Sequence, residues 1–226
     1  MVADVHCGKH PRCYTRWHAR WQPCAPLDGT PRPAPPVAGA TNRKVPPVPK
    51  TIKIVRNLKD LRQMTGQWRK AGQRIGLVPT MGALHEGHLS LVELAAKNAD
   101  RVVVSIFVNP SQFAPNEDLA RYPRDEAGDV AKLVTVPTAA LWAPTVEEMY
   151  PPGYSTRVEA GSAAKDLEGA FRPHHFGGVA TVCCKLFSQV SPDIAVFGEK
   201  DYQLLAVLRQ MVRDLNLPLT LIGAPT

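Results

Sequence analysis

From residue 51 onward, short apolar runs alternate with longer amphipathic stretches, and that order leaves few architectures open. Residues 51–55 alternate as a short strand. Asn57 is placed to cap a helix over 57–70 with Leu58, Leu61, Met64 and Trp68 on one face, and Gly72 ends it. An apolar strand at 75–78 leads through the loop 79–87 into a helix with Leu89, Val92 and Ala96 facing inward, and a buried strand follows at 101–107. Helices near 125–134, at 178–190 and at 200–215 then alternate with strands at 139–142, 194–197 and 219–222. Continuous apolar strands separated by such helices pair in parallel. The expected class is α/β, a Rossmann-like three-layer fold with a parallel sheet. Ligands of such sheets gather beyond the carboxyl ends of the strands, which selects the loops 79–88, 109–118 and 198–201.

The first fifty residues follow no such pattern. They hold 10 of the 22 prolines, with runs at 31–36 and 46–49 that remove backbone donors and forbid regular helix. They read as a disordered Pro/Arg-rich extension ahead of a domain over 51–226. This extension carries 8 basic and 2 acidic side chains, so it accounts for +6 of the formal +7. The remaining 19 basic and 18 acidic groups nearly cancel, which argues against a folded surface that grips nucleic acid. The longest strongly apolar stretch, 102–108, is far short of the ~20 residues that span a bilayer. Five cysteines are an odd number, with Cys183 and Cys184 adjacent, and form no disulfide framework. A reducing compartment, the cytoplasm, is expected. Cys7, Cys13 and Cys24 with His6, His10 and His18 lack a paired C-x-x-C, and no metal is expected there.

Four motifs sit at strand ends. His85-Glu86-Gly87-His88 opens a helix directly after a strand. Imidazole N–H groups can donate to phosphate oxygens, Gly87 permits close backbone approach, and the helix start favours negative charge. Two surface histidines at a helix start are the plain alternative. The second motif, Phe197-Gly198-Glu199-Lys200-Asp201, makes a similar turn. Lys200 can neutralise phosphates and Asp201 can accept ribose hydroxyls, although ordinary helix-start chemistry also explains acidic residues there. In the third, residues 108–113 with 115–118 and 121–124, Asn109 and Gln112 offer amides for hydroxyl or carboxylate groups, while a turn alone explains Asn109-Pro110. The fourth, residues 171–178, brings Arg172 and His175 toward a possible anion, or is a glycine-permitted loop.

Taken together, GLVPTMGALHEGHLSLV at 76–92, VVVSIFVNPSQFAPNEDLARYPR at 102–124, APTVEEMYPPG at 143–153, FRPHHFGGVATV at 171–182 and VFGEKDYQ at 196–203 closely resemble the pantoate–β-alanine ligase (pantothenate synthetase) family of HxGH nucleotidyltransferases. The resemblance covers about residues 51–226. It implies that ATP adenylates the pantoate carboxylate with release of pyrophosphate, and that the β-alanine amine then displaces AMP to give pantothenate. By position, it implies that Met81, Gly82, Ala83, Leu84, His85, Glu86, Gly87 and His88 contact ATP, with His88 as proton donor and His85 at the phosphates. It implies that Gly198, Glu199, Lys200 and Asp201 also bind ATP, Lys200 at phosphate and Asp201 at ribose. Gln112, Asn109 and Leu204 fall at the pantoate and β-alanine pocket. Mg2+ is implied with the triphosphate, with Asp129 matching a carboxylate that reaches it, and so is a homodimer.

Three departures from the family pattern stand out. Family members carry two consecutive glutamines after the tyrosine matching Tyr202, whereas Gln203 here is followed by Leu204. His174 stands where a small residue is common. The sequence also stops before a Ser-Ser-Arg phosphate-binding segment and a small C-terminal lid domain, so low turnover is expected because bound ATP stays open to water. The alternative function is a truncated, catalytically impaired homologue that retains nucleotide or metabolite binding.

Overall fold

Among the described residues, six short β-strands line up in one parallel sheet in the order β1-β4-β3-β2-β5-β6. They are β1 Lys53–Val55, β2 Ile75–Thr80, β3 Arg101–Ile106, β4 Ala140–Trp142, β5 Ile194–Gly198 and β6 Thr220–Ala224. The computed structural model describes residues 45–49, 51–113 and 119–225. The expected disordered extension over 1–50 lies outside them, apart from 45–49, which form neither helix nor strand. No helix among the described residues is long and apolar enough to cross a membrane.

The two faces of the sheet carry separate cores, which makes the fold three-layered as expected. On one face Leu77, Val103, Ala195 and Trp142 pack against α1 (Leu58–Lys70), α6 (His175–Val190) and α7 (Tyr202–Asp214). On the other, Val78, Val104, Leu141 and Val196 pack against α2 (Glu86–Asn98) and the end of α3 (Glu126–Leu133). Alternate side chains of one strand thus serve opposite layers. Each large side chain fully buried here contributes roughly 1.5 to 3 kcal/mol of apolar transfer. The indole N–H of the fully buried Trp142 donates to Gln189 Oε1 at 3.1 Å, so its burial leaves no donor unpaired.

Local sequence rules account for the main helices. Asn57 caps α1 by accepting from Asp60 N, and Gly72 takes the positive φ after its end. Two short helices, α4 (Val146–Met149) and α5 (Glu168–Phe171), lie where no periodic pattern was legible, because one turn is too short to show one. Helix α6 begins at His175 rather than 178, its glycines lying inside the first turn. The helix expected at 200–215 is shorter at its end: α7 stops at Asp214, Asn216 turns left-handed, and Leu215 is 47% exposed. Its inward face is carried by Leu205, Leu208 and Met211, with Leu205 fully buried.

Candidate active site at the carboxyl edge of the sheet

Strand order reverses between β2 and β5, with β3, β4 and β1 on one side and β6 on the other. The chain leaving β2 enters α2 on one face, and the chain leaving β5 enters α7 on the opposite face. The outgoing segments therefore diverge and open a crevice, the usual ligand position in open α/β sheets.

The first wall is the segment after β2. Gly82 and Ala83 both take positive φ, +88° and +51°. Thr80 Oγ1 accepts from Gly82 N at 3.2 Å and donates to Ser105 O at 2.8 Å, which ties the turn to β3. His85 then caps α2: its Nδ1 accepts from Gly87 N at 3.1 Å, while His88 Nδ1 accepts from His85 N at 3.4 Å. With Nδ1 occupied as an acceptor, each neutral ring carries its proton on Nε2. The pair so offers two N–H donors at a helix N-terminus.

The second wall is the Glu199–Asp201 turn after β5. Lys200 and Asp201 are exposed and near enough to bias the proton of His88. Burial chiefly pushes the His88 imidazole below its usual value, and the positive charges of His85 and Lys200 push the same way against Asp129 and Asp201. His88 is thus held toward its neutral, Nε2–H form.

The third wall is built on Asn109, which is 1% exposed. Its Oδ1 accepts from Ser111 N at 3.2 Å, from Ser111 Oγ at 2.9 Å and from Tyr150 OH at 2.9 Å. Its Nδ2 donates to Gln112 Oε1 at 3.1 Å and Gly178 O at 3.2 Å. Gln112 Nε2 in turn lies 2.9 Å from Met81 Sδ, so this turn touches the first wall. A cavity of about 250 Å³ lies against Met81, Gly82, Phe107, Arg124 and Asp129. A larger one, about 580 Å³, lies against Ser111, Tyr150, Arg157, His174 and Gly178.

The family model of the pantoate-beta-alanine ligase matches residues 53–226. The chain belongs to this family. Two pantothenate synthetases show the degree of likeness. The one from Caulobacter vibrioides is 57% identical over 173 residues, covering 76% of this chain and 61% of its own length. That from Sphingopyxis alaskensis is 58% identical over 174 residues, covering 77% and 62%. The crystal structure of pantothenate synthetase from Thermus thermophilus superposes with a TM-score of 0.74 at 50% identity, over 77% of this chain and 62% of that one. The pantoate-beta-alanine ligase from Francisella tularensis, complexed with beta-gamma ATP and beta-alanine, also gives 0.74, at 40% identity over 78% and 67%. The chain thus spans about three fifths of the length of the curated relatives it matches, 61% and 62% in these two.

Of the residues expected from the sequence, the fold brings Met81, His85, Glu86, Gly87, His88, Lys200 and Asp201 to the crevice edge, each at least partly accessible. Leu84 differs. Its side chain is 2% exposed in a core cluster, its N–H donates to Asp129, and its carbonyl accepts from Lys132. Glu199 leans toward β6, where a Cβ on Gly223 would fall 2.8 Å from its Oε1. Asp129 has both carboxylate oxygens on main-chain N–H groups, and no cluster of three potential metal ligands gathers among the described residues. Leu204 is half-buried against the core that contains α6 and α7. Its neighbour Gln203 reaches back to the 163–168 segment, donating to Ala163 O at 3.1 Å and Asp166 O at 2.5 Å. His174 is exposed, while His175 Nδ1 lies 3.1 Å from Gln112 O and Arg172 pairs with Glu168 Oε1 at 2.8 Å. Residues 114–118 of the third motif lie outside the described residues.

Sequence reasoning missed Lys132, Tyr150 and Gly178. A Cβ on Gly178 would sit 2.4 Å from Ser111 O, so only glycine lets α6 approach the Pro110–Gln112 turn this closely. The readable signal for α3 was a carboxylate at Asp129, one turn before the apolar Leu133, where a core residue belongs.

Proposed function

We propose that this chain carries the ATP- and pantoate-binding half of an AMP-forming ligase that condenses pantoate with β-alanine. The observation that favours it most is the convergence at the strand switch point of the His85–His88 donor pair with Lys200 and Asp201. Membership in the pantoate-beta-alanine ligase family supports the choice of substrates.

In this reading a pantoate carboxylate oxygen attacks the α-phosphorus of ATP, and the bond to pyrophosphate breaks. The β-alanine nitrogen then attacks the acyl carbon, the C–O bond to AMP breaks, and the amine loses a proton. His85 and His88 donate through Nε2–H to oxygens that gain charge, which a neutral imidazole does without first losing a proton. Lys200 neutralises phosphate and Asp201 accepts from a ribose hydroxyl. Gln112, aligned by the buried Asn109, orients the acid. Mg2+ would be held mainly by phosphate oxygens, since the oxygens of Asp129 already have main-chain partners. A homodimer in the cytoplasm completes the proposal.

Pantoate-dependent exchange of pyrophosphate into ATP tests the first step, and β-alanine-dependent AMP release tests the second. Exchange lost in His88→Ala with its unfolding temperature unchanged supports the reading. ATP binding without exchange would favour the catalytically impaired homologue.

A further inference from the structure

Asp129 is a carboxylate 2% exposed inside α3, and its hydrogen-bond partners are main-chain groups of a distant segment. Oδ2 accepts from Ala83 N at 3.0 Å and Oδ1 from Leu84 N at 2.7 Å. From the next turn of the same helix, Lys132 Nζ donates to Leu84 O at 2.7 Å. It is not the helix cap, since Asp125 fills that role by accepting from Gly128 N. The segment Asp129 grips is strained, because Ala83 is left-handed without being glycine. Gly82 approaches so closely that a Cβ there would lie 3.0 Å from Asp129 Oδ2 and 3.2 Å from Ile106 Cγ2. Burying a carboxylate is costly in lost hydration unless its oxygens are matched, and here two consecutive N–H groups match them. One carboxylate on consecutive amides fixes the peptide plane between Ala83 and Leu84, one residue before His85.

We infer that Asp129, seconded by Lys132, is a positioning residue that clamps the Gly82–Leu84 turn so that α2 begins where His85 and His88 face the nucleotide phosphates. Only the identity of the ligand rests on the function proposed above, because the clamp itself is a matter of hydrogen bonds within the chain. It gives Asp129 a role through the backbone rather than through an ion.

The test uses the Cε1–H NMR signals of the histidines in the full chain, assigned by single substitution, with ATP titrated calorimetrically. Asp129→Asn keeps the shape but sets an amide NH2 against one main-chain N–H. Lys132→Met frees Leu84 O and leaves the carboxylate in place. Both are expected to move or broaden the His85 and His88 signals while those of His174 and His175 stay put, and Asp129→Asn to weaken ATP binding about tenfold or more, the worth of one charge-assisted bond. If Asp129→Asn does not fold, Lys132→Met alone decides. Unmoved His85 and His88 signals in folded variants, or equal movement of all four, would overturn the clamp. Wild-type protein that takes up no ATP would refute the proposed function instead, and the histidine signals would still decide the clamp.

Discussion

The rings of His85 and His88 lie 4.1 Å apart, centroid to centroid, at 45° to each other, and each turns its Nδ1 to a main-chain N–H. Two protonated imidazoles at that distance repel by on the order of 1 to 4 kcal/mol, depending on solvent access. Protonating His88 at Nδ1 also breaks its bond from His85 N. The folded chain therefore binds a proton at His88 less readily than the unfolded chain, whose reference value is 6.5. Stability present above pH 6.5 should fall as the pH drops through the lower folded value. Melting curves from pH 7.5 to 5 are expected to show this decline, and His88→Asn should flatten it.

Asn109→Ala should cost about 1 to 3 kcal/mol in urea unfolding, because it removes one donor from the buried Gly178 carbonyl and leaves the Tyr150 hydroxyl only Ser111 Oγ at 3.3 Å. The Asp substitution, which keeps the acceptor and loses the donor, should cost less. Equal losses would mean that the donor side to Gly178 and Gln112 dominates.

Gly178→Ala should be more damaging than Gly177→Ala. At 178 the new methyl meets main chain, 2.4 Å from Ser111 O and 2.8 Å from Gln112 Cα, so α6 must separate from the turn. At 177 it meets the movable end of Glu159, 3.0 Å away at Oε2. Overpacking against rigid atoms costs about 1 to 3 kcal/mol. Thermal unfolding of both variants measures the difference, and the 178 variant is also expected to bind pantoate more weakly.

Leu204→Gln should strengthen pantoate binding by about 5- to 150-fold, the worth of one buried polar group regaining a partner. Leu204 is only half-buried, so the fold should tolerate the amide. Calorimetric titration of pantoate at saturating ATP checks this. Unchanged affinity with a lowered melting temperature would assign Leu204 to the core beside Leu205 and Leu208.

The parallel order of strands and helices was legible because burial on both faces forces apolar strands, as in β3, where Val102, Val103 and Val104 all have zero exposure. The position of His85 and His88 was legible from the strand–glycine–helix succession. What could not be read were contacts made at long range by residues with an adequate local excuse. Asn109 passes for a turn residue, Gly178 for a helix breaker and Lys132 for a solvated charge, yet each meets a partner 48 to 69 positions away. The cue at Asp129 was a polarity mismatch in a helix of eight residues, too short for its inward face to be secure from sequence.

The pairing of β2 with β5 also sets when the crevice can come into being. Ile75 N donates to Asp193 Oδ2 across 118 positions, and Gly76 stands beside Ile194 in the sheet. Such distant parallel partners are slow to meet, since a long intervening chain must close before the contacts reward it. Residues 81–88 face Lys200 and Asp201 only once β2 and β5 have paired across that long intervening chain. Contacts between the two walls of the crevice thus wait on the most distant strand pairing among the described residues, and anything that bridges both walls should slow unfolding more than it speeds folding.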